Sequence, residues 1–382
     1  MLPTAIFNKA FEKLNKGKAG GSDAVVTEML EDLDEEIRAE IRRGFEDRIN
    51  GEDAKAAKVS ADWKRLPIWC VAKQSIPTGP GDWRPIGLQA IMQKWYLGCI
   101  ALLQRGESET FRTTESLGFQ KGRQCMEITE LLRMLLQKGA EWSIPICIFK
   151  CDAHKAFDSM NHEKLEEAWR HKGVRPALMA AQLEEMSLLR LDINLGGREV
   201  KNVECSSGGT QGGTNTPVNW VFYLDAALAP VVSEWLTLGE GVELSWTLQR
   251  AEEFEPKHLG SVTHAIWADD CFFIAKSCIE GRHMMMRATD GIYRYRLKWK
   301  PSSLTFLAND AAMEGTDATD TVQFDHGGRT WCWKRKDKLD VLGIKLDQEG
   351  KTDTSVRHRI NAARQNISCP RTNCAADGYP CG

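Results

Sequence analysis

Two adjacent carboxylates, Asp269 and Asp270, interrupt an otherwise apolar run, AIWADDCFFIAKS, at residues 265–277. Ala265, Ile266, Trp267 and Ala268 precede the pair, and Cys271, Phe272, Phe273 and Ile274 follow it. Two short apolar runs hinged on polar residues read as a buried β-hairpin with the acids at its bend. No other segment constrains the fold as much, because a carboxylate held among core strands needs water, a cation or a metal ion to offset its desolvation. Taken alone, the pattern also fits an exposed turn joining two core strands. A second acidic strand end narrows the choice. In FKCDAHKAFDSM (149–160) and the residues before it, Ile144, Ile146, Cys147, Ile148 and Phe149 build an apolar strand, and Asp152 stands at its C-terminal end. A lone strand-end Asp is usually a turn former or a cap. Three carboxylates on two strand ends supply the oxygen ligands that suit Mg²⁺, and two such ions about 4 Å apart serve phosphoryl transfer. Asp152 and Asp269 lie so far apart in the chain that only folding can assemble the set, and adjacent strands of one sheet could do it.

These segments fall within a longer series. KAGGSD (18–23), WCVAKQSIPTGPGDWRPIGL (69–88), SLGFQKGRQCMEITELL (116–132), CDAHKAFDSM (151–160), GGTQGGTNTPVNWVFYLD (208–225), WADDCFF (267–273) and VLGIKLDQEG (341–350) follow one another in order. From about residue 16 to about 350 the chain thereby resembles the reverse transcriptases of non-LTR retrotransposons and group II introns. The resemblance implies an α+β right-hand polymerase fold: helical fingers with a small sheet over about 1–140, then an antiparallel palm sheet backed by helices, with interleaved fingers elements, over 141–350. Residues 351–382 would be an incomplete thumb or a disordered tail, so that the thumb is largely absent and the chain looks like a fragment of a larger retroelement protein. The activity implied is RNA-directed DNA synthesis, in which dNTPs are added to the 3′-hydroxyl of a DNA primer on an RNA template.

The resemblance assigns roles residue by residue. Asp152, Asp269 and Asp270 are the catalytic carboxylates and, with the backbone carbonyl of Ala153, the ligands of two Mg²⁺ ions, for which Mn²⁺ can substitute. Phe157 is the ring that excludes a 2′-hydroxyl, although a Phe in AHKAFD fits a core position equally. Lys73 and Arg84, flanking the loop with Pro77, Gly79, Pro80 and Gly81, would clamp the triphosphate, Arg as a planar fork and Lys as a point charge; two exposed basic residues beside a turn are the plainer reading. Gln211 and Gly212 lie in a loop bared by Gly208, Gly209 and Gly213, where a backbone can approach a nucleotide; a flexible connector is the alternative. Asp158 reads as a turn or cap residue. The chain departs from the pattern at Gly20 and Ser22, which replace prolines, at Gly87, which replaces a serine, and at Ser302 and Ser303, where lysines would be expected. Those departures keep open an inactive remnant that binds RNA, or another templated polymerase.

Composition permits this reading without announcing it. At 382 residues, with 42% hydrophobic and 27% charged residues, the chain can bury a sizeable core, and no run approaches the ~18 apolar residues of a membrane span. The N-terminus lacks the basic-then-apolar layout of a signal peptide. The net charge of −3 gives no nucleic-acid signature. Basic residues cluster in YRYRLKWK (293–300) and WKRKDK (333–338), interleaved with aromatics as on stacking-plus-phosphate surfaces, which solvated faces would equally explain. Twelve cysteines without a Cys-x-x-Cys pair, several in apolar runs (Cys70, Cys99, Cys147, Cys271), read as reduced core residues of an intracellular protein, nuclear or cytoplasmic. Cys369, Cys374 and Cys381, near His358, match no common zinc finger.

Periodicity places helices over 1–15, 27–50, 90–104, 124–138, 176–187 and 217–235, and another after a cap at Asn161. Strands are expected over 66–73 and 84–88, and a period-two hairpin runs from Leu189 to Val203. The stretches 236–262 and 308–330 are expected to be loops or small insertions.

Overall fold

The computed structural model describes residues 1–352 apart from 19, 22, 52–62, 74, 109–115, 188, 196–197, 206, 211, 246–257 and 314–319. Among these residues the chain begins with α1 (Thr4–Glu12), α2 (Glu35–Asn50), the hairpin β1 (Arg65–Ala72) and β2 (Trp83–Gly87), α3 (Ile91–Ser108) and α4 (Cys125–Trp142). There follow β3 (Cys147–Asp152), α5 (His162–His171), α6 (Pro176–Ser187), β4 (Arg190–Leu195), β5 (Arg198–Glu204) and α7 (Thr216–Thr237). Next come β6 (Val242–Ser245), β7 (His258–Val262), β8 (His264–Trp267), β9 (Asp270–Ala275), α8 (Cys278–Arg294) and β10 (Thr305–Ala308). The series closes with α9 (Asp310–Met313), β11 (Thr321–His326), β12 (Arg329–Arg335), β13 (Lys338–Val341) and β14 (Ile344–Asp347). The architecture is mixed α and β.

A six-stranded sheet, in the order β11-β12-β10-β3-β9-β8, carries the acidic strand ends. Its neighbours are antiparallel except β10 and β12, which run parallel. The central strands β3 and β9 are covered on both faces, which is why they read as unbroken apolar runs rather than as alternating ones. Phe149, Cys151, Cys271 and Phe273 face the larger core with α7 and α8, where Trp220, Trp235, Met284 and Met285 are buried. Ile148, Phe272 and Ile274 face a smaller core made with Ile128, Leu132 and Leu136 of α4 and with Leu339, Val341 and Leu346 of the β13–β14 hairpin. Each such side chain, fully buried, contributes roughly 1.5–3 kcal/mol. Alternation along a strand then puts Lys150 and Asp152 on the same face as Ile148, and Asp270 on the same face as Phe272.

A second sheet, β2-β1-β4-β5, combines the expected hairpins, with β1 and β4 joined in parallel from Arg65↔Arg190 to Trp69↔Asn194. Around it, α1 packs on α3 and α2 on α6. A buried Arg48–Glu185 ion pair ties α2 to α6, and Gln93 donates to the same carboxylate at 2.8 Å.

Most expected elements are present, and Asn161 caps α5 by accepting the Lys164 N–H at 3.1 Å. The expected helix over 27–50 is broken: a short 3₁₀ turn, Thr27–Leu30, precedes α2, which starts afresh where Asp34 accepts the Ile37 N–H at 2.8 Å. The helix expected over 1–15 ends at Glu12. The stretches 236–262 and 308–330 are not loops throughout. The first contains β6 and β7, paired with each other. The second contains α9 and β11, and with β12 it forms a hairpin that extends the six-stranded sheet. Gly327 and Gly328, at φ +60° and +72°, supply the left-handed backbone a tight two-residue turn needs there. Cys70 is half-exposed rather than a core residue. No helix among the described residues is long and apolar enough to cross a membrane. The tail bearing His358, Cys369, Cys374 and Cys381 lies outside the described residues.

Candidate active site

Pairing of β3 with β9 sets Asp152 directly opposite Asp270, the last pair of that ladder. One residue further on, Ala153 donates its N–H to the Asp269 carbonyl at 3.2 Å. Asp269 belongs to a two-residue turn between β8 and β9, closed by the pair Trp267↔Asp270. The other turn residue, Ala268, holds φ at +57°, a conformation costly for a residue with a Cβ. Two contacts hold it there. Trp220 of α7 donates its indole N–H to the Ala268 carbonyl at 2.8 Å. Gly118 approaches so closely that a Cβ built on it would collide with the Ala268 backbone nitrogen. Nothing in the run AIWADDCFF signals this strain, but the glycine in SLGFQKG was visible as part of a motif.

Lys150 and Lys300 balance the carboxylates. The Lys150 ammonium lies 3.3 Å from Asp270 Oδ1 and 3.9 Å from Asp152 Oδ1, and Lys300 lies 3.9 Å from Asp152 Oδ2. Lys150 also donates to the Asp340 carbonyl at 3.1 Å. Burial nevertheless outweighs the attraction of Lys150, and with the charge of Asp270 it lifts the Asp152 carboxyl to about 6. Asp269 reaches solvent at the turn, yet its carboxyl is also raised, chiefly by desolvation and among charges by Asp270. Asp152 Oδ1 is buried with no hydrogen-bond partner. No three His, Cys, Asp or Glu side chains among the described residues form a preformed chelate. The site does offer hard oxygen donors, one of them an orphaned buried carboxylate oxygen, on groups that repel one another. Such a set fits Mg²⁺ or Mn²⁺.

The segment 298–303 straps the end of β3. Lys300 donates its N–H to the Asp152 carbonyl and His154 donates to the Lys298 carbonyl, both at 2.8 Å, around a bridge between Ala153 and Trp299. Trp299 is buried, its indole N–H on Thr289 Oγ1 at 3.0 Å, so Lys298 and Lys300 project from the opposite side into solvent. Ser303, which stands where a lysine was expected, accepts the Asp152 N–H at 3.0 Å and donates to the Lys300 carbonyl at 2.8 Å. Its hydroxyl fixes the backbone of β3 at Asp152. His154 is held below its usual range by burial and then by the surrounding cations Lys155, Lys300, Lys298 and Arg329, which together make one rim of the site basic. The sequence reading did not single out Lys150. Its signal was its place two residues before Asp152, on the same strand face.

Phe157 stands beside the strained turn. Its half-buried ring lies 6.2 Å from Phe119 and 6.0 Å, edge-on, from Trp220, the residue that holds the Ala268 carbonyl. The glycine-rich loop docks on the same segment, with Gly209 donating to the Phe157 carbonyl at 2.8 Å and Gly208 to that of Met160 at 2.7 Å. At φ +87°, Gly208 would set a Cβ 3.0 Å from the Asp158 backbone. Gly212, at φ +100°, lies against the end of β2, where a Cβ would be 3.3 Å from the Gly87 carbonyl. Gly87 in turn has no room for a side chain unless Thr210 and Leu66 move, which accounts for a glycine where a serine was expected. Gln211 lies outside the described residues.

Lys73 and Arg84 are not brought into contact with the carboxylates. Lys73 follows β1 and donates its ammonium to the Gly81 carbonyl at 2.8 Å. Arg84, opposite Val71 in the hairpin, is exposed and makes no ion pair among the described residues.

A family model described as reverse transcriptase (RNA-dependent DNA polymerase) matches residues 71–346, most of the chain. Among solved structures, the chain is similar to an apo telomerase from Candida tropicalis truncated from its C-terminal domain. The two are 10% identical with a TM-score of 0.48, and the match covers 76% of this chain and 55% of that one. The chain thus spans little more than half the length of that telomerase chain. No curated protein matches.

Proposed function

The chain belongs to the reverse transcriptase family, the RNA-dependent DNA polymerases, and from that membership we propose that it extends a DNA primer on an RNA template as part of a non-LTR retroelement protein. The observation that carries the reading is the register of β3 on β9, which sets Asp152 against Asp270 and one residue from the Asp269 turn. In this reading the six-stranded sheet with α7 and α8 is the palm, and the four-stranded sheet with the helices packed around it is the fingers.

Asp152, Asp269, Asp270 and the Ala153 carbonyl would hold two Mg²⁺ ions, which when bound activate the primer hydroxyl and stabilise the departing pyrophosphate. The chain's own groups do the positioning. Lys150 and Lys300 offset the carboxylates' mutual repulsion. Arg84 and Lys73, on the hairpin tip, bind triphosphate oxygens. Lys298, Lys155 and Arg329 offer phosphate contacts along the basic rim. Gly212 lets backbone approach the nucleotide, with Gln211 beside it. Phe157, fixed by Phe119 and Trp220, lies beneath the sugar and excludes a 2′-hydroxyl, so the substrate is a dNTP.

Primer extension on matched RNA and DNA templates tests this, with Asp269→Asn beside the wild type. The expected result is DNA synthesis on RNA by the wild type and none by the variant, with a variant that melts cooperatively and no lower than the wild type. Wild-type protein that binds primer–template without extending it would mark an inactive RNA-binding remnant. Ribonucleotide incorporation alone would mark another templated polymerase.

A further inference from the structure

At the opposite end of β3 from Asp152, Cys147 and Cys278 lie with their sulfurs 3.9 Å apart, both as free thiols. Cys147 is fully buried at the start of β3, opposite Ala275 and Ala308 of the two flanking strands. Cys278 opens α8 directly after its cap, Ser277, whose hydroxyl accepts the Glu280 N–H. A sulfur in the first turn of a helix sits at the positive end of the macrodipole, where thiolate is favoured. Cys278 is buried too, at 9% exposed against 0% for Cys147, but it lies between half-exposed Ser277 and exposed Ile279. We propose that Cys147 and Cys278 are an oxidation site, joined by hydroperoxides into a disulfide that ties the catalytic strand β3 to α8.

The remaining chemistry agrees with that assignment. The hydrogen bond from Cys147, with help from the Arg335 guanidinium, brings the Cys278 thiol down to about 7 against the effect of burial. Cys147 is itself pushed well up by the same contact and by burial, so it keeps its proton. Cys151 and Cys271, close by in the same sheet, are pushed up by burial and are inert by comparison. The Cys278 thiolate attacks one oxygen of the hydroperoxide, the O–O bond breaks, and the leaving oxygen takes a proton, giving a sulfenic acid and water or an alcohol. Cys147 sulfur then attacks the sulfenic sulfur, the S–O bond breaks, and the departing hydroxide takes the Cys147 proton as water. Two thiols are oxidised and one peroxide is reduced. Closing the sulfurs to about 2.05 Å requires a shift of roughly 2 Å, within reach of side-chain rotation at the end of a helix.

The test exposes the whole chain to hydrogen peroxide, blocks remaining thiols under denaturing conditions, and maps tryptic peptides without reduction. Lysines and arginines isolate both partners: Cys147 falls in 139–150 and Cys278 in 277–282, each free of any other cysteine. The expected result is one dominant cross-linked pair of these two peptides, reversed by reductant and lost in Cys278→Ser. Three outcomes overturn the proposal: no cross-link although half-exposed Cys125 and Cys332 are oxidised, sulfinic acid at Cys278 with Cys147 still free, or Cys147 joined to a different cysteine.

Discussion

A site that gathers repelling carboxylates should pay in stability, and Asp152→Asn measures how much. In the folded chain the Asp152 carboxyl is raised from 3.8 to about 6, first by burial and then by Asp270. At about 1.4 kcal/mol per unit, holding it ionised costs the fold about 3 kcal/mol. The sign follows from proton counts. Between pH 4 and 6 the folded state keeps a proton that the unfolded state has released, so wild-type stability falls as pH rises through that window. Asn is close to the protonated acid in size and carries no charge, so the variant escapes the fall. Urea denaturation in EDTA should therefore show little difference near pH 4, a gap that opens between pH 4 and 6, and a variant about 3 kcal/mol more stable at pH 8. Saturating Mg²⁺ should narrow the gap at pH 8 by stabilising the wild type, while the variant makes no product in primer extension. A variant less stable than the wild type at pH 8, or a gap that closes as pH rises, would refute the electrostatic account. It would mean that the ion pairs with Lys150 and Lys300 outweigh desolvation.

Gly118→Ala should push the strained Ala268–Asp269 turn out of place. An extension rate about 10²-fold lower, with a loss of about 1–3 kcal/mol in denaturation, is expected; unchanged kinetics would show that the turn tolerates the intrusion. Phe157→Ala should lower the ratio of dNTP to rNTP incorporation while dNTP use persists, at a cost of about 2 kcal/mol for a half-buried ring. An unchanged ratio in a protein that still melts cooperatively would remove the sugar-gate role.

How far the sequence discloses this molecule depends on whether a feature is periodic or relational. The β8–β9 hairpin was legible because two apolar runs can hardly flank two acids in any other way, and α5 because Asn161 is a strong cap before a helical period. The β11–β12 hairpin was missed although its alternation, with Val322, Phe324, Trp331 and Trp333 buried and their neighbours exposed or half-exposed, is as regular as any. It has no counterpart in the motif series, and its only signal is the alternation on either side of Gly327–Gly328. The site divides in the same way. Acid residues at strand ends announce themselves, since carboxylates beside apolar runs need a reason. The groups that position those acids are relational: Trp220 matters through the Ala268 carbonyl, Gly118 through the space it leaves, and Ser303 through the Asp152 N–H. Ser303 is the instructive case. Measured against the family pattern it is a lost lysine and argues for decay, whereas in the fold it anchors the backbone of β3 at Asp152 while Lys300, three residues earlier, brings an ammonium to the Asp152 carboxylate. Ser303 thus has a hydrogen-bonding role of its own in this fold, and Lys300 supplies a cation beside Asp152. The substitution by itself is therefore no sign of decay, and primer extension by the wild-type chain is the measurement that decides between an active site and a remnant.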